Sequence, residues 1–205
     1  MNEDHRAKAS LMTMEDEKYA AMLPFVAWSG AFTPAELDRI EAYGDRLTVE
    51  KATVAAASEQ KEDESTRISR TAWIARNPET DWFYDRIERV ARMLNDRVWQ
   101  FSISGFSELF QYTIYDGSER AYFDWHVDQG HLTVQRKLSI SVQLTDGAQY
   151  EGCDLQFHGR KVIDSAPRER GAVVAFPSYV LHRVTPIVSG TRKAVVIWIT
   201  GPKFK

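Results

Sequence analysis

From Arg136 to Leu144 the chain reads Arg-Lys-Leu-Ser-Ile-Ser-Val-Gln-Leu. Leu138, Ile140, Val142 and Leu144 recur at every second position, with Ser139, Ser141 and Gln143 between them. A strict two-residue period belongs to a strand, with one apolar face that must be covered by a second layer. The other face is small and polar. It is either an ordinary solvated sheet face or the lining of an internal cavity, and the pattern alone leaves both readings open.

The surrounding segments extend this into a β-rich half. Short runs separated by Gly, Asp and Pro signals predict strands over 98–102, 107–115, 121–127, 136–145, 153–158, 171–176, 180–185 and 192–199. Two helices precede them. Thr33-Pro34-Ala35-Glu36 combines a cap, a proline at the first helical position and the acidic partner of a capping box, so a helix runs to about Arg46 with Leu37, Ile40 and Tyr43 inward. A second helix is expected from about Glu79 to Asn95, with Trp82, Ile87, Val90, Ala91 and Leu94 on one stripe. Residues 23–28 and 67–75 read as further strands, and the charged stretch 58–66 as a loop. The expected fold class is mainly β with a helical buttress (α+β), a β-sandwich or jelly roll. Residues 1–22 read as a poorly ordered tail, and 23–205 as a single domain with its buttress at 33–95 and its β core at 98–200.

Composition narrows the classes of function. The 205 residues are 43% hydrophobic and 27% charged, ordinary for a soluble globular chain. A net charge of −3 gives no reason to expect nucleic acid as a partner. No apolar run approaches the ~18–20 residues of a membrane span. The first ten residues lack a following apolar stretch, so no signal peptide is expected. A single cysteine, Cys153, rules out an intrachain disulfide and fits a reducing, cytoplasmic compartment.

Chemistry concentrates in His126-Val127-Asp128, in His182 56 positions after His126, and in Arg192 ten further on. If the first segment is extended, His126 and Asp128 point to one side, and His182 can join them from a neighbouring strand. Two imidazoles and a carboxylate on one face of an ion leave its other positions open, the pattern of non-haem Fe(II) oxygenases; zinc accepts the same ligand types. Arg192 lies on an apolar strand, where a lone guanidinium calls for an anionic partner. Of the other histidines, His5 falls in the tail, His131 in a loop as a solvated or supporting residue, and His158 at a strand end as a surface residue.

These residues carry a family resemblance. Gln111-Tyr-Thr-Ile-Tyr115, Tyr122-Phe-Asp-Trp-His-Val-Asp128, Arg136 to Leu144 and Tyr150-Glu-Gly-Cys-Asp-Leu155 occur in order. Gly171 to Ser178, Leu181-His-Arg-Val-Thr-Pro186 and Gly190-Thr-Arg-Lys193 follow. From about Phe110 to Pro202 the chain resembles the Fe(II)- and 2-oxoglutarate-dependent dioxygenases of the prolyl 4-hydroxylase type. The resemblance implies a double-stranded β-helix of cupin-like form and an iron site of His126, Asp128 and His182. It implies that Arg192 pairs with the distal carboxylate of 2-oxoglutarate, that Tyr115 hydrogen-bonds the same molecule (with Tyr112 and Tyr122 as alternatives), and that Gln143 contacts it. It also implies Leu155 as an apolar pocket residue and Trp198 as an aromatic lining the pocket.

The activity implied is hydroxylation of an unactivated C–H bond with consumption of O2 and release of succinate and CO2, ascorbate serving as an auxiliary. A carboxylate at position 128 favours hydroxylation over halogenation. The partner is a peptidyl residue such as proline, or an amino-acid-like small molecule, with no nucleic acid and no membrane. Two alternatives remain at this level: a non-catalytic metal or 2-oxoglutarate sensor, and an oxidative nucleic-acid demethylase. Substrate contacts are expected from 50–66 and 116–135. One departure is Cys153, which stands where the family usually has the second of two glycines.

Overall fold

The computed structural model describes residues 24–52, 54–56, 59–61, 63–128, 135–159 and 163–204, with backbone alone at 54–56 and 59–61. The expected tail, His5 and His131 lie outside them. In chain order the elements are β1 (Val26–Trp28), α1 (Pro34–Gly44), β2 (Glu50–Lys51), β3 (Val54–Ala56), β4 (Glu59–Lys61), β5 (Arg67–Ile68), β6 (Arg70–Ile74) and α2 (Asp81–Val98). Then come β7 (Phe110–Asp116), β8 (Tyr122–His126), β9 (Arg136–Gln143), β10 (Tyr150–Gly152), β11 (Leu155–His158), β12 (Ile163–Ser165), β13 (Val173–Pro177), β14 (His182–Val184) and β15 (Ile187–Thr200).

Two antiparallel sheets form the body. The larger has the order β1-β13-β9-β15-β7-β6-β2 with β10 added on β15, and the smaller has the order β12-β11-β14-β8-β5. Side chains from both sheets line one shared cavity, so the sheets face each other across it. This is the mainly-β, helix-buttressed architecture that two helices followed by a run of short strands predict.

The helices cover the outer face of the larger sheet. In α1 the Thr33 hydroxyl accepts from Glu36 N at 3.3 Å while Thr33 N donates to the Glu36 carboxylate at 2.8 Å, the reciprocal cap read from the sequence. Its last residue, Gly44, sits under Tyr112, and a Cβ there would come within 2.5 Å of that ring. The contact lets the Tyr112 hydroxyl donate to Asp45 at 2.7 Å. In α2 Ile87, Val90, Ala91 and Leu94 of the expected stripe are buried, Trp82 is half-buried against the core, and Phe83 and Tyr84 join the stripe. Tyr84 stacks on Phe110 with ring centroids 3.7 Å apart. Leu138, Ile140 and Val142 enter the same apolar cluster.

The structure departs from the sequence reading in its details: β10 and β12 were not expected, and β15 starts at Ile187, five residues early. Residues 98–102 are not a strand: Val98 ends α2, and the Asn95 side chain takes both backbone groups of Phe101, each at 2.9 Å, removing them from any ladder. The expected single strand over 67–75 is two, because β5 pairs with β8 in the smaller sheet while β6 pairs with β7 in the larger. Within the charged stretch 58–66, residues 59–61 pair with 54–56 as a hairpin.

Candidate metal centre

β14 and β8 lie antiparallel, and His182 is the register partner of His126. Sheet pairing thus sets two imidazoles side by side, with ring centroids 4.1 Å apart. The pairing is irregular. Val184 matches Phe123, so two steps along β14 face three along β8. This bulge bends the strand and changes where its side chains aim. Residues three apart on a regular strand point to opposite faces, yet here the Phe123 ring stacks on His126 at 3.5 Å and both line the cavity.

Asp128 lies two residues past the end of β8. Its amide donates to Ser178 O at 2.8 Å, and its carboxylate accepts from the Ser139 hydroxyl at 2.7 Å. The cavity side of the alternating strand therefore aims this carboxylate. One oxygen stands 3.7 Å from His126 Nε2 and the other 3.6 Å from His182 Nε2. The three donor atoms lie within 4.8 Å of one another.

The imidazoles are oriented from behind. His126 Nδ1 meets the Asp124 carbonyl at 2.7 Å, and His182 Nδ1 meets the Val180 carbonyl at 2.9 Å. A carbonyl only accepts, so each Nδ1 carries a proton and each Nε2 is turned toward the Asp128 carboxylate. Burial, reinforced by His182 and opposed by Asp128, pushes His126 down to about 4. Burial raises Asp128, but His182, His126, Ser139 and Arg136 outweigh it and hold the carboxyl below its ordinary value. At neutral pH the centre thus offers a neutral nitrogen at His126 and an ionised carboxylate at Asp128. Ligands about 2.1 Å from one ion are at most about 4.2 Å apart, so the two nitrogen–oxygen spacings suit a single cation. The donors are nitrogen and oxygen without thiolate, which fits Fe(II).

The donors open onto a cleft lined by both sheets. On its other wall Arg192, 4% exposed, sits on β15 opposite Tyr115 of β7. The Arg192 Nε donates to Gln143 Oε1 at 3.0 Å. Gln143 is held in that orientation because its amide nitrogen donates to Thr145 O at 2.8 Å and Tyr150 Oη at 2.9 Å. Among the described residues no carboxylate forms an ion pair with Arg192. Ser139, Ser141 and Gln143 are 0%, 6% and 3% exposed, which decides for the inward polar row over the solvated face.

Of the three tyrosines, Tyr115 alone lines this cleft. Tyr112 is on the helix side, and the Tyr122 hydroxyl donates to the carbonyls of Glu64 and Ser65. Burial raises the Tyr115 phenol and keeps it protonated. Leu155 and Trp198 also line the cleft. Arg136 lies 3.8 Å over the Trp198 ring and is paired with Glu108. His158 is exposed beside Trp125, away from the donors. Cys153 keeps the turn that two glycines would make: its φ is +56° after Gly152 at +72°. A non-glycine residue there costs about 1 kcal/mol. Sequence reasoning missed Arg67, a second buried guanidinium on the cleft wall. Nothing in the local pattern marks it, because only the switch of the chain between sheets at Ser69 turns it inward.

Residues 110–200 match the model of the 2OG-Fe(II) oxygenase superfamily. That stretch contains His126, Asp128, His182 and Arg192. A PKHD-type hydroxylase of a Synechococcus species is 32% identical over 93 residues, 45% of this chain and 42% of that protein. One from Cupriavidus metallidurans is 37% identical over 89 residues, 40% of this chain and 39% of that protein. The chain thus spans about two fifths of the length of these curated relatives. Among solved structures, a Pseudomonas putida prolyl-4-hydroxylase superposes with a TM-score of 0.67 at 20% identity, covering 91% of this chain and 97% of that one. A Trichoplax adhaerens prolyl hydroxylase, in complex with a hypoxia inducible factor peptide fragment, gives 0.70 at 14% identity and covers 91% of each chain. These likenesses establish the double-stranded β-helix of the oxygenase fold. Among the described residues no helix is long and apolar enough to cross a membrane.

Proposed function

We propose that this protein is an Fe(II)- and 2-oxoglutarate-dependent dioxygenase that hydroxylates an unactivated C–H bond. The observation that carries this reading is the arrangement of one cleft. Two imidazole Nε2 atoms and an ionised carboxylate converge at one wall, and an arginine without a carboxylate partner among the described residues stands on another.

In this reading His126, Asp128 and His182 hold the iron. When bound with 2-oxoglutarate, the iron supplies the oxidative step: O2 is consumed, one oxygen atom leaves in succinate as CO2 is released, and the other enters the substrate as hydroxyl. The chain's own residues orient and enclose. Arg192 receives the distal carboxylate through a charge-assisted, bidentate contact, with the Tyr115 hydroxyl as a further donor. Gln143 acts through Arg192 by holding Nε, so its role is positioning. Leu155, Phe176 and Val184 give the cleft apolar walls that limit water near the reacting centre. Ser139 keeps the Asp128 carboxylate turned to the imidazoles. Trp198 lines the space left for the substrate.

The substrate class in this reading is a peptidyl residue, proline among them, or an amino-acid-like small molecule. The peptide held by the Trichoplax neighbour supports the first. The single buried cysteine supports a cytoplasmic setting. The test is succinate formation with Fe(II), ascorbate, O2 and 2-oxoglutarate, coupled to a mass-spectrometric search for products heavier by one oxygen. Succinate that depends on an added peptide or metabolite is the expected result. Binding of 2-oxoglutarate with no succinate under any condition would instead make the protein a sensor.

A further inference from the structure

The cleft carries one positive charge more than the proposed reaction uses. With both histidines serving as metal ligands, the charged lining groups are Arg67, Arg192 and Asp128. A ferrous ion and the 2-oxoglutarate dianion cancel each other, Asp128 offsets Arg192, and Arg67 is left over. Arg67 is 7% exposed. Its hydrogen bonds end on neutral groups: Nε donates to Ser69 Oγ at 2.7 Å and Nη2 to Gln111 Oε1 at 3.1 Å. Among the described residues no carboxylate forms an ion pair with it, and its further contact, the Tyr115 hydroxyl, is neutral as well. Burial presses its guanidinium below the ordinary value, with the Tyr115 phenol and Asp128 giving partial relief. A buried cation in that state is costly unless an anion arrives.

Its position says where that anion would sit. The guanidinium lies over the Phe123 ring at 4.6 Å, and Phe123 stacks on His126 at 3.5 Å. Arg67 therefore stands on the His126 side, on the edge strand of the smaller sheet, whereas Arg192 is anchored in the larger sheet by Gln143. The same cleft is lined by a residue that holds a second unpaired donor. The Trp198 indole Nε1 is buried without an acceptor and its side chain lines the cleft. A guest that satisfies both must be rich in acceptors and negatively charged. A planar carboxylate matches the guanidinium fork.

We propose that Arg67 receives a carboxylate of the substrate, so that the preferred substrate is an acid. This rests on the reading of the site given above. The carboxylate comes either from a free amino-acid-like molecule or from an acidic side chain of a peptide.

The experiment uses the full chain loaded with Mn(II) and 2-oxoglutarate without O2, and reads binding by calorimetry. One arm compares N-acetyl-L-amino acids with their primary amides. The other compares end-blocked peptides carrying Asp or Glu with the same peptides carrying Asn or Gln. At least one acid is expected to bind about tenfold or more tightly than its amide, because an unpaired buried donor penalises the analogue that lacks its partner. The arm in which this occurs identifies the source. In Arg67→Gln the preference collapses to about twofold or less while 2-oxoglutarate affinity holds, and Arg67→Lys keeps part of it. Three results overturn the proposal: no acid in either arm binding ahead of its amide, a preference that survives Arg67→Gln, or a loss of 2-oxoglutarate affinity in Arg67→Gln that makes Arg67 a co-substrate residue. The wild-type comparison stands even if a variant fails to fold. Failure of wild-type protein to bind 2-oxoglutarate at all would remove the underlying reading as well, and is seen separately in the first titration.

Discussion

On one side of β9, Leu138, Ile140 and Val142 pack with Leu37 and Ile40 of α1 and Ile87 and Leu94 of α2. On its other side the same strand gives Ser139 to Asp128, Ser141 to the cleft wall and Gln143 to Arg192. Both faces are buried, and they are built differently. The helix side is held by carbon removed from water, worth about 1.5–3 kcal/mol per large side chain. The cleft side is held by hydrogen bonds whose net worth is about 1 kcal/mol each, and it leaves donors such as Trp198 Nε1 unspent. The first face specifies a fold, and the second keeps open positions for guests. Damage to the first should therefore cost stability, and damage to the second should cost ligands.

The sharpest way to break that contrast is His126→Ala. It should abolish metal binding and turnover while the protein stays folded, read by calorimetry with Mn(II) and by circular dichroism. Full activity in this variant would remove His126 from the ligand set. Next, Ile140→Ala on the helix side should destabilise by about 2–5 kcal/mol through a cavity. Its folded fraction should keep metal affinity within about twofold, so urea midpoints and metal titrations should separate cleanly.

Acidity tests the cleft side through His126. Its imidazole, pushed down to about 4 in the metal-free fold, returns to about 6.5 on unfolding. Between those values the unfolded chain binds the extra proton. The contribution is therefore fully present above pH 6.5 and is lost as pH falls toward 4, by on the order of 3 kcal/mol. Thermal melts in chelator should show wild-type protein losing more stability than His126→Ala across that window, and parallel profiles would contradict this. The smallest expected effect is that of Ser139→Ala, which removes the hydroxyl donated to Asp128. Metal affinity should fall by about 10–100-fold with little change in melting temperature. An unchanged affinity would mean that the Ser178 carbonyl alone aims Asp128.

Much of the helix side was legible in advance, because local pattern carries it. Thr33 and Glu36 are three residues apart and cap each other, and the period of two at 136–144 marks both faces of one strand. The candidate ligands were legible as residue types at a suggestive spacing. What brings them together was not. Asp128 stands two residues beyond the end of β8, under the control of Ser178 and Ser139. The bulge that turns Phe123 and His126 to one side depends on pairing with β14, more than fifty residues away. Segment 98–102 had strand-like residues, but the Asn95 side chain captured its backbone. Arg67 carried no local mark of burial.

The amino-acid order by itself determined the elements and the supply of chemistry: where alternation or capping is strong, which side chains can ligate, and which cation waits for an anion. Tertiary structure alone decided which residues meet. Register between strands distant in sequence set His182 beside His126, the change of sheet at Ser69 turned Arg67 inward, and Gly44 let Tyr112 take the helix side and left the cleft to Tyr115. The reason is physical: a side chain's direction follows from backbone period, but its neighbours across a sheet follow from pairing energies summed over contacts that no local window contains.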